Sequence, residues 1–199
     1  MNEQQKHLQA YVNDMYAVEK HSLEAIERQA QNKEVQKKPQ SQQLIQHMHS
    51  MLQQHVQVLD QHLNHLGGRS TVKSAVAAAT GVAAGLYDQV RTETVSSMLR
   101  DDYVAMSMVA VANTMLHSTA LSLGDQMTAD IALRHLKDVT PVITELSKVV
   151  PIVTVQDVHE DLPSANQSAA QQAVRNTQEA WDAKHVNKMS TAPAFAMAD

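Results

Sequence analysis

The chain has 199 residues, with 16 basic against 21 acidic side chains for a net charge of −5, 43% hydrophobic but 3% aromatic residues, and no cysteine. That length supports one domain with appendages and a core large enough to fold without covalent staples. The missing cysteines exclude disulfides, thiolate metal sites and cysteine nucleophiles, and the negative balance argues against nucleic acid as a partner. The start, MNEQQKHLQA, has neither a basic nor an apolar leader region, and no run resembles a membrane span. A cytoplasmic protein with no membrane partner is expected. The abundance of Gln, Ala and Met predicts helices rather than sheet.

The first predicted helix covers 4–31, where Leu8, Val12, Met15, Leu23, Ile26 and Ala30 recur at helical spacing. Glu19 stands where the next inward residue of that stripe belongs. The stretch NKEVQKKPQSQ is read as a polar connection broken by Pro39, with its three lysines in solvent. A second helix is predicted over 42–66, ending at Gly67–Gly68, with an inward stripe of Ile45, Met48, Leu52, His55, Leu59, Leu63 and Leu66. His55 interrupts this stripe as Glu19 interrupts the first. In an antiparallel hairpin the two midpoints lie at one height, so these side chains are expected to face each other.

Residues 69–97 are rich in small residues and contain Gly81 and Gly85, as a crossover with one short helix would. A third helix is predicted over 95–123, through the apolar stretch YVAMSMVAVANTML, and is expected to be buried on most sides. Asp125 or Thr128 is placed to cap a fourth helix, kinked at Pro141 and stopping before Pro151. An extended arm, IVTVQDVHEDLP, and a short helix over 164–183 carrying Trp181 would follow, then a mobile tail at 188–199.

Two helices, a crossover and two more helices predict an all-α fold laid out as a ferritin-like antiparallel four-helix bundle over 1–150, with an arm and short helix over 151–187. Asp14-Met-Tyr16-Ala-Val-Glu19-Lys20, and His55-Val56 followed by Leu59, Gln61 and Leu66-Gly67, resemble the helix signatures of the YciF/YciE-like ferritin-like stress-protein family. The resemblance spans roughly residues 5–150. It implies a bundle that is often a homodimer, is associated with stress responses and can carry a di-metal carboxylate site.

Such sites take one Glu from each of two helices and a Glu-x-x-His pair from each of the others. Here the acid expected one turn before His55 is replaced by Met51 or Leu52. The third helix offers Met106, Met108 and Val109 and has no Asp or Glu from Val104 to Leu123, and the fourth offers Asp138-Val139. Glu19 and Asp138 supply two negative charges where two divalent ions carry four positive ones. The expectation is therefore a non-catalytic bundle with a structural, stress-associated or interaction role. No cofactor is expected, and the core is read as a direct Glu19–His55 or Asp138–histidine hydrogen bond. The alternative is a redox or storage protein with one iron, manganese or zinc ion held by Glu19, His55, His135 and Asp138, the last two standing three apart on one helical face.

Five of the eleven histidines fall in the second helix, at 47, 49, 55, 62 and 65, and most are expected on a solvated face. The methionines read as core filling. No nucleophile elbow, phosphate loop or EF-hand pattern supports a hydrolase or nucleotide-binding reading.

Overall fold

A computed structural model describes residues 3–68 and 94–182. Among these residues the chain is all helical: α1 Glu3–Ala30, α2 Lys33–Gln36, α3 Pro39–His65, α4 Val95–Ser122, α5 Gln126–Asp161 and α6 Ala169–Trp181. The boundaries follow from capping chemistry. The side chains of Asn32, Thr94 and Asp125 accept backbone N–H groups of Glu34, Ser97 and Thr128 at 2.8, 3.3 and 2.8 Å, each supplying a partner to a helix start that lacks one. Pro39 opens α3 instead of breaking a loop, because the first helical position needs no N–H. Gly67, Gly68 and Gly124 end α3 and α4 at φ of 103°, 92° and 72°, where a side chain would be strained.

Each of the four long helices packs against two others: α1 and α5 both lie against α3 and α4. Their inward stripes form one core, which includes Val12, Ile26, Ile45, Leu52, Leu59, Met106, Val109, Val139 and Leu146. Contacts at the ends fix the directions. The Gln9 amide donates to the carbonyls of Leu66 and Gly68 at 3.3 and 2.6 Å, joining the start of α1 to the end of α3. The end of α1 meets the start of α4 where the Gln29 amide donates to Asp102 at 2.8 Å. Lys38, just before α3, reaches Asp157 at 2.9 Å and Glu160 at 2.6 Å in the last turns of α5, and Asp157 also accepts the Ser96 N–H at 2.8 Å. The starts of α3 and α4 and the end of α5 therefore share one end of the molecule.

Several expectations are corrected. The fourth predicted helix does not stop before Pro151, and no extended arm follows: α5 runs through both Pro141 and Pro151 to Asp161. Its inward stripe continues through Val149, Val153 and Asp157, so packing outweighs the cost of about 3 kcal/mol that a proline carries in a helix interior. Lys38 is not solvated; it is buried in the ion pairs just described. His62 is also buried, with Nε2 2.7 Å from the Thr128 hydroxyl.

The apolar α4 is not buried on most sides. It is long and apolar enough to cross a membrane by length and composition, contrary to the expectation that no run would be, and only 28% of its most apolar window is buried. Val104, Val111 and Met115 form an exposed face, while Leu99, Met106, Val109 and Leu116 face the core. Trp181 of α6 meets Tyr103 of α4 edge-on, with ring centroids 6.0 Å apart. The predicted crossover, apart from its last residues, and the predicted tail lie outside the described residues.

Candidate functional site

At mid-height the core stops being apolar. Glu19 on α1 is fully buried because its stripe neighbours Met15, Ser22 and Ile26 all turn inward with it. Three other helices each present a polar group to the same carboxylate oxygen. Oε1 accepts a hydrogen bond from the Asn113 amide on α4 at 3.1 Å and lies 3.2 Å from Nδ1 of His135 on α5 and 3.3 Å from Nδ1 of His55 on α3. The His55 contact is an ion-pair approach rather than an aligned hydrogen bond, because that nitrogen has no hydrogen-bond partner. The other Glu19 oxygen, Oε2, is buried without a partner, as are Asn113 Oδ1 and His135 Nε2.

The two imidazoles stack with centroids 3.7 Å apart and planes 4° from parallel. His55 Nε2 lies 3.2 Å from Asp138 Oδ2, whose side chain is 49% exposed. A carboxylate thus faces each His55 ring nitrogen, and only the imidazolium form has a donor at both positions. Burial works to lower the His55 pKa, but Glu19 and then Asp138 outweigh it and raise it above the ordinary value. Burial likewise works to raise the Glu19 pKa, but His135 and His55 hold it down at about 2. The site is a buried carboxylate stabilised by an imidazolium, a second imidazole and an amide.

These donors do not fit a di-metal centre. Among the described residues Glu19 is the one carboxylate within the cluster, Asp138 lies on the far side of His55, and Asn113 brings a neutral amide from α4. For a single ion, ligand spacing and ring orientation pull in opposite directions. One ligand atom from each of Glu19, His55 and His135 lies within 4.8 Å of the others. Their N···O separations of 3.2 and 3.3 Å are close to the edge of about 3.3 Å between ligands bonded at about 2.0 Å in a tetrahedron. An imidazole, however, binds metal along a lone pair in its own plane, and two parallel rings aim these lone pairs side by side. An ion shared by His55 and His135 therefore requires one ring to leave the stack.

The four sequence-derived candidates are thus all close together, with Glu19, His55 and His135 in one cluster and Asp138 joined through His55. Asn113 was missed. It falls one turn after Val109 on the inward face of α4, and its amide inside an otherwise apolar stretch was the available signal. No protein-family model, no curated protein and no solved structure matches the chain.

Proposed function

We propose that the chain is a ferritin-like four-helix bundle of the YciF/YciE-like stress-protein type whose di-metal centre has been replaced by a metal-free polar cluster. Its role on this reading is structural or protein-interacting, in the cytoplasm and as a homodimer, with no substrate turned over. The layout is supported by the helix ends: α3 and α4 start at the same end, so the end of α3 and the start of α4 lie at opposite ends of the molecule, as in bundles with one long crossover. The observation that carries the functional reading is the charge set around Glu19. Four helices each contribute one polar group, yet among the described residues a single carboxylate lies within the cluster, against the several that two cations require. Self-association is supported by the outer face of α4, where Val104, Val111 and Met115 are exposed and no Asp, Glu, Lys or Arg occurs from Tyr103 to Gly124.

Elemental analysis tests this reading. Protein purified from cells supplied with iron, manganese and zinc is expected to carry far less than one metal per chain. A stoichiometric metal that Glu19→Ala removes would overturn it.

A second reading, a single-ion redox or storage protein, is favoured by the proximity of the three ligand atoms and by the unpartnered Glu19 Oε2. On that reading iron, manganese or zinc binds once a ring swings out of the stack. Loss of the stoichiometric metal in both His55→Ala and His135→Ala would establish it.

A further inference from the structure

Another buried carboxyl lies against the C-terminal end of α1, away from the mid-height cluster. Asp102, in the second turn of α4, is 1% exposed, and it accepts the Gln29 Nε2–H on Oδ1 at 2.8 Å. Its other oxygen, Oδ2, is buried without a partner, and so is Oε1 of the same Gln29 amide. Two planar groups are therefore joined by one hydrogen bond while each keeps a buried acceptor with no donor. Such orphaned oxygens are costly in an apolar interior.

Among the described residues, no cation pairs with Asp102. α1 presents the neutral Gln29, and the α1–α2 junction presents the neutral Asn32, whose amide lies 3.8 Å from Met98 Sδ. From α5, packed alongside, the inward residues at this end are Val149, Val153 and Asp157, and Asp157 is itself engaged by Lys38 and the Ser96 N–H. The charged group that acts on Asp102 is its neighbour Asp101, itself held by Arg100 Nε at 2.7 Å, and a like charge opposes ionisation.

We propose that Asp102 is a proton-binding site, held in the folded protein as a neutral carboxylic acid paired with the Gln29 amide by two hydrogen bonds. The amide N–H donates to Oδ1, and the carboxyl O–H on Oδ2 donates to Oε1. Protonation gives Gln29 the donor it lacks and removes the buried charge in one step. Loss of the proton to solvent leaves a carboxylate in the interior and weakens the junction of α1 with α4. Burial first and the Asp101 charge second push the Asp102 pKa up to about 7, although the Gln29 hydrogen bond works to lower it. The site would thus exchange its proton near neutral pH.

The folded state then binds a proton that the unfolded chain, with an ordinary value of 3.8, has released. Stability from this group is present in acid and declines as pH rises toward 7, by about a hundredfold in the folding constant between about pH 5 and pH 8.5. Asp102→Asn keeps the shape and supplies a permanent donor to Gln29. Denaturant unfolding of the two proteins is expected to differ in pH dependence by that hundredfold, with the variant relatively more stable at the alkaline end. Superimposable profiles would overturn the proposal. Should the variant fail to fold, the carboxyl-carbon NMR shift of Asp102 in the wild-type chain decides: a protonated carboxyl at pH 6 supports the proposal, and an ionised one refutes it.

Discussion

The rings of His55 and His135 come from different helices and lie face to face, 3.7 Å apart and 4° from parallel. His55 faces a carboxylate at each ring nitrogen, and Glu19 and then Asp138 raise its pKa above the ordinary value. The cluster is therefore arranged around a proton, and its energetics follow from where that proton sits.

Glu19→Gln removes the anion and leaves His55 facing an amide. Breaking a buried pair by removing one partner costs about 3 kcal/mol or more, and urea unfolding near pH 6 is expected to show a loss of that order. A loss of only a few tenths would mean that the carboxylate makes no net contribution.

The pH dependence of this site has two limbs. Glu19 is lowered from 4.5 to about 2, so its contribution is present above pH 4.5 and is lost as pH falls toward 2. His55 is raised above 6.5, so its contribution is complete below 6.5 and is lost as pH rises through the raised value. Their joint contribution is greatest between 4.5 and 6.5. The stability difference between the wild-type chain and His55→Gln, followed by chemical unfolding across that range, is expected to peak inside it and shrink on both sides.

How much of this was legible in the sequence depended on the contrast between a residue and its stripe. The ranges 4–31 and 95–123 agree closely with α1 and α4. Glu19 and His55 stood out because each breaks an apolar periodicity, and the structure places them 3.3 Å apart. Asn113 did not stand out, because α4 is apolar on its outer face as well as its inner one and so has no period that marks the inward side. Pro151 misled for a different reason. A proline rule is local, whereas the contacts that carry α5 past it, through Val153 and Asp157, come from other helices. Lys38 resembled its exposed neighbours Lys33 and Lys37, and only the return of α5 supplies the carboxylates that bury it.

Asn113→Asp places a second carboxyl against Glu19. Two adjacent buried carboxyls cannot both ionise cheaply, so this variant is expected to melt below the wild type at about pH 7.5 and to regain part of the difference at about pH 5. Thermal unfolding at the two pH values checks it. Equal losses at both would show that the amide acts through shape alone.

Lys38→Met removes the cation that ties the start of α3 to the end of α5. Burial by itself would raise the Asp157 pKa, yet Ser96 and Lys38 hold it below the ordinary value, so the variant leaves a buried carboxylate short of one partner. A loss of about 3 kcal/mol is expected in denaturant unfolding at neutral pH. The double variant with Asp157→Leu is expected to recover part of it.

Val111 lies 61% exposed at the centre of the outer face of α4. If that face joins two copies, Val111→Lys is expected to turn a dimer into a monomer at micromolar concentration with no loss of helix content. Light scattering coupled to size-exclusion chromatography reads the first, and circular dichroism the second. A wild-type protein that is already monomeric would remove the homodimer.

The half-exposed position of Asp138 has a consequence for how the interior communicates with bulk water. Glu19 is sealed inside the core, but His55 touches it with one nitrogen and Asp138 with the other. A single five-membered ring thus serves as the conduit between the solvent edge and the innermost charge. Salt that screens the half-exposed Asp138 carboxylate therefore weakens one of the two charges that face this imidazole.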